Sequence, residues 1–199
     1  AASLKRKRMS NSLFVLYFGL VHHHSQLAHH TVCFGPRYKA LIDEIFSADT
    51  ISEDFSLYLH APCVTDPSLA PPGCGSYYVL APVPHLGNAP LDWSVEGPRL
   101  RDRIFDYLEA RYMPGLRSQL VTHRMFTPED FRDTLDAWQG SAFSLEPILT
   151  QSAWFRPHNR DSVVDNLYLV GAGTHPGAGV PGVIGSAKAT AQLMLKDLA

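Results

Sequence analysis

Residues 166–189 read NLYLVGAGTHPGAGVPGVIGSAKA, and this stretch decides how the chain is organised. Six of the fourteen glycines lie between Gly171 and Gly185, after a short apolar run and before an alanine-rich run. Glycine adopts backbone conformations that other residues avoid, and without a Cβ it lets the main chain approach a ligand closely. The pattern predicts a strand over 167–170, a tight glycine turn, and a helix with Pro181 in its first turn, where a missing N–H costs nothing.

The start of this predicted helix is a favourable place for negative charge. The first N–H groups of a helix have no intrahelical acceptor, and the helix dipole adds positive charge at the same end. The chain has no Asp or Glu between Asn166 and Lys196. We therefore expect an anion or an electron-rich ring to bind against the first turn of this helix.

The glycine pattern is not a complete dinucleotide fingerprint. Its spacing, Gly171-x-Gly173-x-x-x-Gly177, is one residue too long, and Pro176 precedes the helix. A mononucleotide-binding unit also needs a further strand and an acidic residue about twenty positions on, a distance that reaches the end of this chain. The stretch is predicted to be the last strand and last helix of a nucleotide-binding domain that begins elsewhere.

The same residues resemble the C-terminal signature of the FAD-dependent carotenoid desaturases. The resemblance rests on residues 167–188 and continues upstream through SAFSLEP at 141–147, WFRP at 154–157 and MSNSLFVLY at 9–17. It covers essentially the whole chain, and the terminal motif is long enough to be highly specific. It implies the C-terminal part of such an enzyme, somewhat under half of it, without the glycine fingerprint that the family carries near its N-terminus.

The resemblance implies an α/β flavoprotein of the FAD/NAD(P)-binding type. A mixed-sheet substrate-binding portion is expected at 1–145, followed at 146–199 by the last strand and helix of the FAD-binding domain. The implied activity is FAD-dependent desaturation of phytoene towards lycopene, so the implied partner is a hydrophobic carotenoid substrate. Desaturation needs a cofactor, because no amino-acid side chain accepts hydride from unactivated carbons. The isolated chain is expected to be inactive.

The residues predicted to bind FAD lie in the glycine turn, at the helix start and at one upstream arginine. They are Gly171, Gly173, Thr174, Gly179, Val180, Pro181, Gly182, Val183, Ile184 and Arg156. The N–H groups of Gly182, Val183 and Ile184 are expected to stabilise the negative charge that develops on the flavin. Arg156 is predicted to contact phosphate or flavin, with an ordinary surface salt bridge as the alternative.

His175 is the candidate catalytic residue. Imidazole is the side chain best suited to proton transfer near neutral pH, and the reaction must release a proton. The alternative is a histidine that only hydrogen-bonds within the glycine turn.

The run HHHSQLAHH at 22–30 holds half of the ten histidines. Clustered imidazoles bind zinc or copper when their geometry converges. Cys33 is the only thiol close by, however, and no carboxylate precedes Asp43. The run is therefore interpreted as a polar loop after a strand, and no metal site is predicted.

The rest of the chain alternates between strand and helix patterns. Strands are predicted at 13–20, 55–60, 77–83 and 120–126, and helices after Gly35-Pro36, at 98–112 and after Thr127. The first strand is expected inside a sheet. The sequence Ala81-Pro82-Val83-Pro84 is expected to end its strand, because proline cannot donate to a ladder.

Net charge, cysteine content and the length of apolar runs limit the kinds of partner and compartment expected for the chain. The net charge of −2 gives no case for nucleic acid. The three cysteines form no close pair, which favours reduced thiols in the cytoplasm. The longest apolar run, 13–21, is too short to span a bilayer. A peripheral membrane surface is the expected partner. The basic residues 5–8 are one candidate contact, with a solvated loop as the alternative. The apolar face of the helix after Pro36 is the other, with core packing as the alternative.

Two other functions stay open. One is a related flavoenzyme, such as a carotene isomerase or an amine-oxidase-like enzyme. The other, from a different class, is a non-catalytic fragment that binds lipid or metal. The sequence leaves the oligomeric state open.

Overall fold

The computed structural model describes residues 6–47 and 49–199. The chain divides into two compact units. We call Ser12–Gly140 the sheet unit, and Ala1–Asn11 with Ser141–Ala199 the turn unit. The predicted division at 145/146 into a substrate-binding and a FAD-binding portion concerns function and stays a prediction. Lys5 of the basic segment lies outside the described residues.

The sheet unit is built on one five-stranded sheet in the order β2-β3-β4-β1-β5. Its elements are β1 Ser12–Leu20, β2 His30–Cys33, α1 Tyr38–Ser47, β3 Leu57–His60, β4 Gly75–Val83, α2 Trp93–Arg111, α3 Leu116–Gln119, β5 Leu120–Phe126 and α4 Pro128–Leu135. Every pairing is antiparallel, so the prediction of a mixed sheet is wrong. The burial of β4 alternates residue by residue, as in an antiparallel sheet that packs one face on a core.

β1 is an inner strand, as predicted, because it pairs with β4 on one side and β5 on the other. Its apolar residues enter a core that α2 completes from one face. The buried members that fill most of this core are Phe14, Leu16, Leu20, Leu57, Leu59, Val79, Leu100, Ile104, Phe105, Leu108, Met113 and Leu116.

Capping residues set the helix starts of the sheet unit. Thr127 and Asp130 form a reciprocal capping box at the start of α4, which confirms the predicted N-cap. α2 begins at Trp93, five residues before the predicted start at 98, because Asp92 caps it by accepting a hydrogen bond from the Ser94 N–H at 3.0 Å. Pro98 therefore lies inside the helix.

The interpretation of the histidine run as a loop is wrong for its last residue, His30, which begins β2. His30–Cys33 pairs with β3, and His30 stands opposite His60. The β-branched residues Thr31 and Val32 favour a strand, and Cys33 anchors it with a buried side chain. β4 ends at Val83, as its proline pattern predicts.

The turn unit contains one long helix, α5, at Val180–Leu198. It begins where the sequence predicts, with Gly179 as N-cap and Pro181 in the first turn. The predicted strand at 167–170 is wrong, because this segment has only an isolated bridge between Tyr168 and Arg160. No described strand of the turn unit runs beside it, and Leu167 and Val170 stay exposed.

Among the described residues, no helix combines the length and apolar character that crossing a lipid bilayer requires. Cys33, Cys63 and Cys74 are free thiols, as expected.

Candidate functional site

The glycine turn, residues 171–179, adopts backbone conformations that need glycine. Gly171, Gly177 and Gly179 have φ values of +119°, +150° and +85°, which side-chain-bearing residues rarely adopt. A Cβ on Gly171 or Gly179 would meet no atom within 4 Å. These two glycines are therefore required by the backbone, and the space beside them is open.

A buried polar network joins the glycine turn to α5. The side-chain amide nitrogen of Asn159 lies 3.0 Å from Ser186 Oγ and 3.1 Å from the carbonyl oxygen of His175. It also lies 3.2 Å from the carbonyl oxygen of Leu169 and 3.4 Å from Thr174 Oγ1. Asn159 is 3% exposed, so the hydrogen bonds by which its amide connects the segments before and after the turn are shielded from water.

Ser186 is the second centre of this network. Its hydroxyl oxygen accepts a hydrogen bond from the Gly171 N–H at 3.1 Å and lies 2.7 Å from Thr174 Oγ1. One turn later, the Thr190 hydroxyl donates to the carbonyl oxygen of Leu169 at 3.2 Å. The predicted site residue Thr174 is thus buried within the turn, where its hydroxyl donates to the carbonyl oxygen of Gly171 at 3.0 Å.

Arg156 lies beneath the turn and is 3% exposed. Its guanidinium donates to the carbonyl oxygens of Ala172 at 2.8 Å and Leu145 at 3.0 Å. The alternative of a surface salt bridge is wrong, because the group is buried and pairs with no carboxylate of the described chain. Burial lowers the pKa of Arg156. Through these two hydrogen bonds Arg156 supports the turn. Its contact with a cofactor stays a prediction.

The first turn of α5 presents backbone donors at the surface. Gly179, Val180, Pro181, Val183 and Ile184 are exposed, and Gly182 is half-buried. Among the described residues, no acceptor receives the N–H groups of Val180 and Gly182. The Val183 N–H, a predicted cofactor donor, instead donates to the carbonyl oxygen of Gly179 at 2.9 Å.

Gly182 and Gly173 are needed for packing inside the unit. A Cβ on Gly182 would lie 2.6 Å from the carbonyl oxygen of Gly177, and one on Gly173 would lie 2.9 Å from Ser144 Oγ. Gly182 therefore allows the first turn of α5 to lie against the glycine turn, whether or not a ligand is bound.

His175 combines a structural contact with a free nitrogen. Its Nδ1 lies 3.0 Å from the carbonyl oxygen of Ala153 and must donate, because a carbonyl only accepts. The Nε2 of that tautomer carries a lone pair. The ring lines an open cavity of about 480 Å³ together with Trp154, His158 and Lys196. This ring hydrogen bond leaves the glycine turn, whereas the alternative expected one within it, and a proton-accepting atom remains.

A second cavity lies in the sheet unit. This groove has a volume of about 450 Å³ and is lined mainly by apolar and aromatic side chains from β1, β4, β5 and the loop before β4. Tyr17, Leu69, Tyr78 and Val121 are among them. None of its described lining residues is Asp or Glu. Sequence reasoning missed the groove, because its walls come from strands far apart in the chain.

Sequence reasoning also missed Asn159 and Ser186. For Ser186 the sequence offered one signal, because it is a single serine directly after Gly185 in the predicted helix. A spacing rule does not identify Asn159, which lies in an irregular loop.

Residues 59–195 match the family described as flavin containing amine oxidoreductase. The chain is 83% identical over 195 residues to a lycopene-forming phytoene desaturase of Pantoea ananas, covering 98% of this chain and 40% of that protein. It is 80% identical over 198 residues to the lycopene-forming phytoene desaturase of Pseudescherichia vulneris, covering 100% of this chain and 40% of that protein.

A third relative, the lycopene-forming phytoene desaturase of a Paracoccus strain, is 66% identical over 199 residues, covering 100% of this chain and 40% of that protein. The chain thus spans about 40% of the length of the curated relatives that it matches.

Proposed function

The chain belongs to the flavin containing amine oxidoreductase family, and we propose that it takes part in the FAD-dependent desaturation of phytoene to lycopene. The observation that carries the proposal is identity of 83% and 80%, over almost the whole chain, to two lycopene-forming phytoene desaturases.

The described residues of the turn unit fit a flavin. The N–H groups of Val180 and Gly182 have no described acceptor, and the space beside Gly171 and Gly179 is open. The segment 166–196 carries no carboxylate that would repel negative charge. When bound, the flavin supplies the hydride-accepting chemistry that side chains lack. The backbone donors are proposed to hold its electron-rich edge, in a role like that of an oxyanion hole.

We propose His175 as the group that takes up the proton. Its Nδ1–H is held by the Ala153 carbonyl, so the ring is oriented and Nε2 keeps a lone pair. The neighbouring Trp154 ring, with a centroid 6.4 Å from that of His175, forms an apolar wall of the same cavity.

The groove of the sheet unit is proposed to bind the hydrocarbon chain. Its aromatic and apolar walls suit a carotenoid, whose transfer from water is favoured by burying apolar area. An amine substrate is the alternative that the family name raises. A cationic amine needs a compensating charge when it is buried, and the described lining of the groove instead offers mainly apolar and aromatic side chains.

We further propose a cytoplasmic protein that acts at a membrane surface. Tyr38 and Ile42 are exposed one turn apart on α1, and the exposed Phe34, in the loop before α1, contacts the Tyr38 ring with centroids 5.3 Å apart. An apolar stripe of this kind suits insertion into a lipid interface. Replacing Phe34 and Ile42 by Asp should reduce sedimentation with liposomes, whereas Val64→Asp, at an exposed position that is not part of the described groove lining, should not.

The activity is tested with a hybrid enzyme, in which these 199 residues replace the matching region of the Pantoea ananas relative. We expect the purified hybrid to bind FAD and to form lycopene from phytoene in lipid vesicles, followed by chromatography. A hybrid that binds FAD but leaves phytoene unchanged would contradict the proposal.

The flavin contact is tested with Val180→Asp in the same hybrid. Val180 is 74% exposed and starts α5, where a carboxylate should stabilise the helix by about 0.3–1 kcal/mol. The same carboxylate should repel the charge that develops on the flavin, so flavin reduction by phytoene should slow by about tenfold or more.

The matched control for this test is Val163→Asp, which changes an 88% exposed valine of the same unit away from α5. Its flavin reduction rate should equal that of the unmodified hybrid. Equal rates in both variants would show that the helix start does not face the flavin.

A further inference from the structure

Three histidines outside the glycine turn converge on one point of the sheet unit. We call His29, His30 and His60 the histidine cluster. One ring nitrogen from each lies within 4.8 Å of the others, and the Nε2 atoms of His29 and His60 are 2.8 Å apart. The ring centroids are separated by 4.3 to 5.3 Å.

Strand pairing produces this convergence. The β2–β3 register sets His30 directly opposite His60. The carbonyl oxygen of His29 accepts the Ala61 N–H at 2.9 Å, which extends the pairing by one residue and fixes the backbone of His29 beside His60. The third ligand therefore comes from a strand thirty residues further along, outside the histidine run in the sequence.

Hydroxyl groups orient two of the rings. His29 Nδ1 lies 2.5 Å from Thr65 Oγ1, and His30 Nδ1 lies 2.6 Å from the Tyr58 hydroxyl oxygen. When these Nδ1 atoms carry the protons, both Nε2 atoms keep lone pairs. Metal-bound histidines use their second nitrogen in this way, which fixes ring orientation.

Aromatic neighbours restrict the orientation of the third ring, that of His60. The His60 ring is held between Tyr58 and Tyr78, with centroid distances of 6.2 and 4.5 Å. The ring therefore approaches His29 in a restricted orientation.

We propose that His29, His30 and His60 bind one zinc ion, with water as the fourth ligand, and that the ion fastens the edge strand β2 to β3. Three imidazoles and an open position form a known zinc arrangement, with Zn–N distances of about 2.0–2.1 Å. Tetrahedral geometry at that length places ligand nitrogens about 3.3 Å apart, within the range that small side-chain rotations reach from the present positions. Imidazole ligands also suit late divalent metals, so copper is the competitor to measure.

The site is tested on the untagged 199-residue chain after chelator treatment and dialysis. We expect zinc chloride titration by calorimetry to give one zinc per chain and to raise the melting temperature followed by near-ultraviolet circular dichroism. Substitution with cobalt should give the visible absorption of a four-coordinate site. No binding, or binding of several ions with equal affinity, would overturn the proposal.

Substitutions distinguish zinc binding by the histidine cluster from zinc binding by the histidine run 22–30 as a whole. His60→Gln and His30→Gln should each lower zinc affinity at least a hundredfold. The control His22→Gln changes an exposed histidine of the same run and should leave affinity unchanged. Tyr58→Phe should weaken binding by about tenfold, since it removes only an orienting hydroxyl. Affinity that falls equally in His22→Gln and His60→Gln would show that the run binds zinc without this site.

Discussion

The sheet unit and the turn unit are held together in opposite ways. The buried side chains of the sheet unit are mostly apolar and form one continuous core between the sheet and α2. In the described part of the turn unit, Leu145 is the only buried apolar side chain. Its other buried residues are polar: Ser10, Ser141, Glu146, Gln151, Arg156, Asn159, Thr174, Ser186 and Thr190.

The two units also differ in where their apolar residues lie. The turn unit exposes Leu149, Trp154, Val180 and Leu195 by 69 to 84% while burying polar groups, most of which are hydrogen-bonded. A buried polar network fixes one geometry, because each unpaired member costs free energy. The sheet unit therefore resembles a stable scaffold, and the turn unit resembles a shaped backbone surface with apolar surroundings, as a cofactor site requires.

The largest effect should come from the apolar core. Phe105 is 1% exposed and meets the Phe18 ring edge-on at 5.5 Å. Phe105→Ala should reduce the free energy of unfolding of the sheet unit by about 3–5 kcal/mol. Urea unfolding followed by the fluorescence of the buried Trp93 measures it. Phe155→Ala, at a 58% exposed position of the turn unit, should change it by less than about 0.5 kcal/mol.

The next effect should come from the polar network. Asn159→Ala removes the amide that serves four oxygens and should destabilise the turn unit by about 2–3 kcal/mol. Hydrogen exchange of the α5 amides should accelerate, while exchange in β1 and β4 stays unchanged. Unchanged α5 exchange would mean that the network contributes little, and the contrast between the units would fail.

The sequence predicts elements that local residues determine better than elements that depend on a distant partner. β1, β5, α4 and α5 are predicted well, because the two strands have a strand-forming composition and Thr127, Gly179 and Pro181 mark where the two helices begin. The segment 167–170 has the composition of a strand but forms only an isolated bridge, between Tyr168 and Arg160, and composition does not reveal what pairs with a strand.

The candidate site is predicted in position and only partly in detail. Glycines with positive φ are readable from the sequence, since only glycine adopts such conformations easily. The role of Gly182 depends on the carbonyl of Gly177, and that of Arg156 on two carbonyls. Such contacts arise from tertiary packing, which spacing does not encode. The pairing of His30 with His60 was missed for the same reason.

A smaller effect tests whether the glycines of α5 serve packing or a ligand. Gly182→Ala should destabilise the turn unit by about 1–3 kcal/mol, because its Cβ would lie 2.6 Å from the Gly177 carbonyl oxygen. In Gly185→Ala the Cβ would lie 3.4 Å from Pro176 Cγ, so the gain in helix propensity should dominate and stabilise by up to about 1 kcal/mol. Thermal melting of both variants without flavin measures this, and equal shifts would contradict the packing role.

The smallest effect is a pH dependence of the sheet unit. Burial lowers the pKa of His85, whose Nδ1 accepts the Gly87 N–H at 3.1 Å, and burial also dominates the lowered pKa of His24. The unfolded chain, in which histidine titrates near about 6.5, then binds more protons than the folded one. Stability is therefore complete above that pH and decreases as the pH falls below it.

Unfolding in urea at pH 7.5 and 5.5, followed by Trp93, should show this loss. His85→Gln keeps an acceptor for the Gly87 N–H but cannot be protonated, so it should reduce the pH slope by up to about one proton. The turn unit provides the contrast, because its buried cation, Arg156, stays charged throughout this range even with a lowered pKa. A slope that is unchanged in His85→Gln would assign the acid sensitivity to other groups.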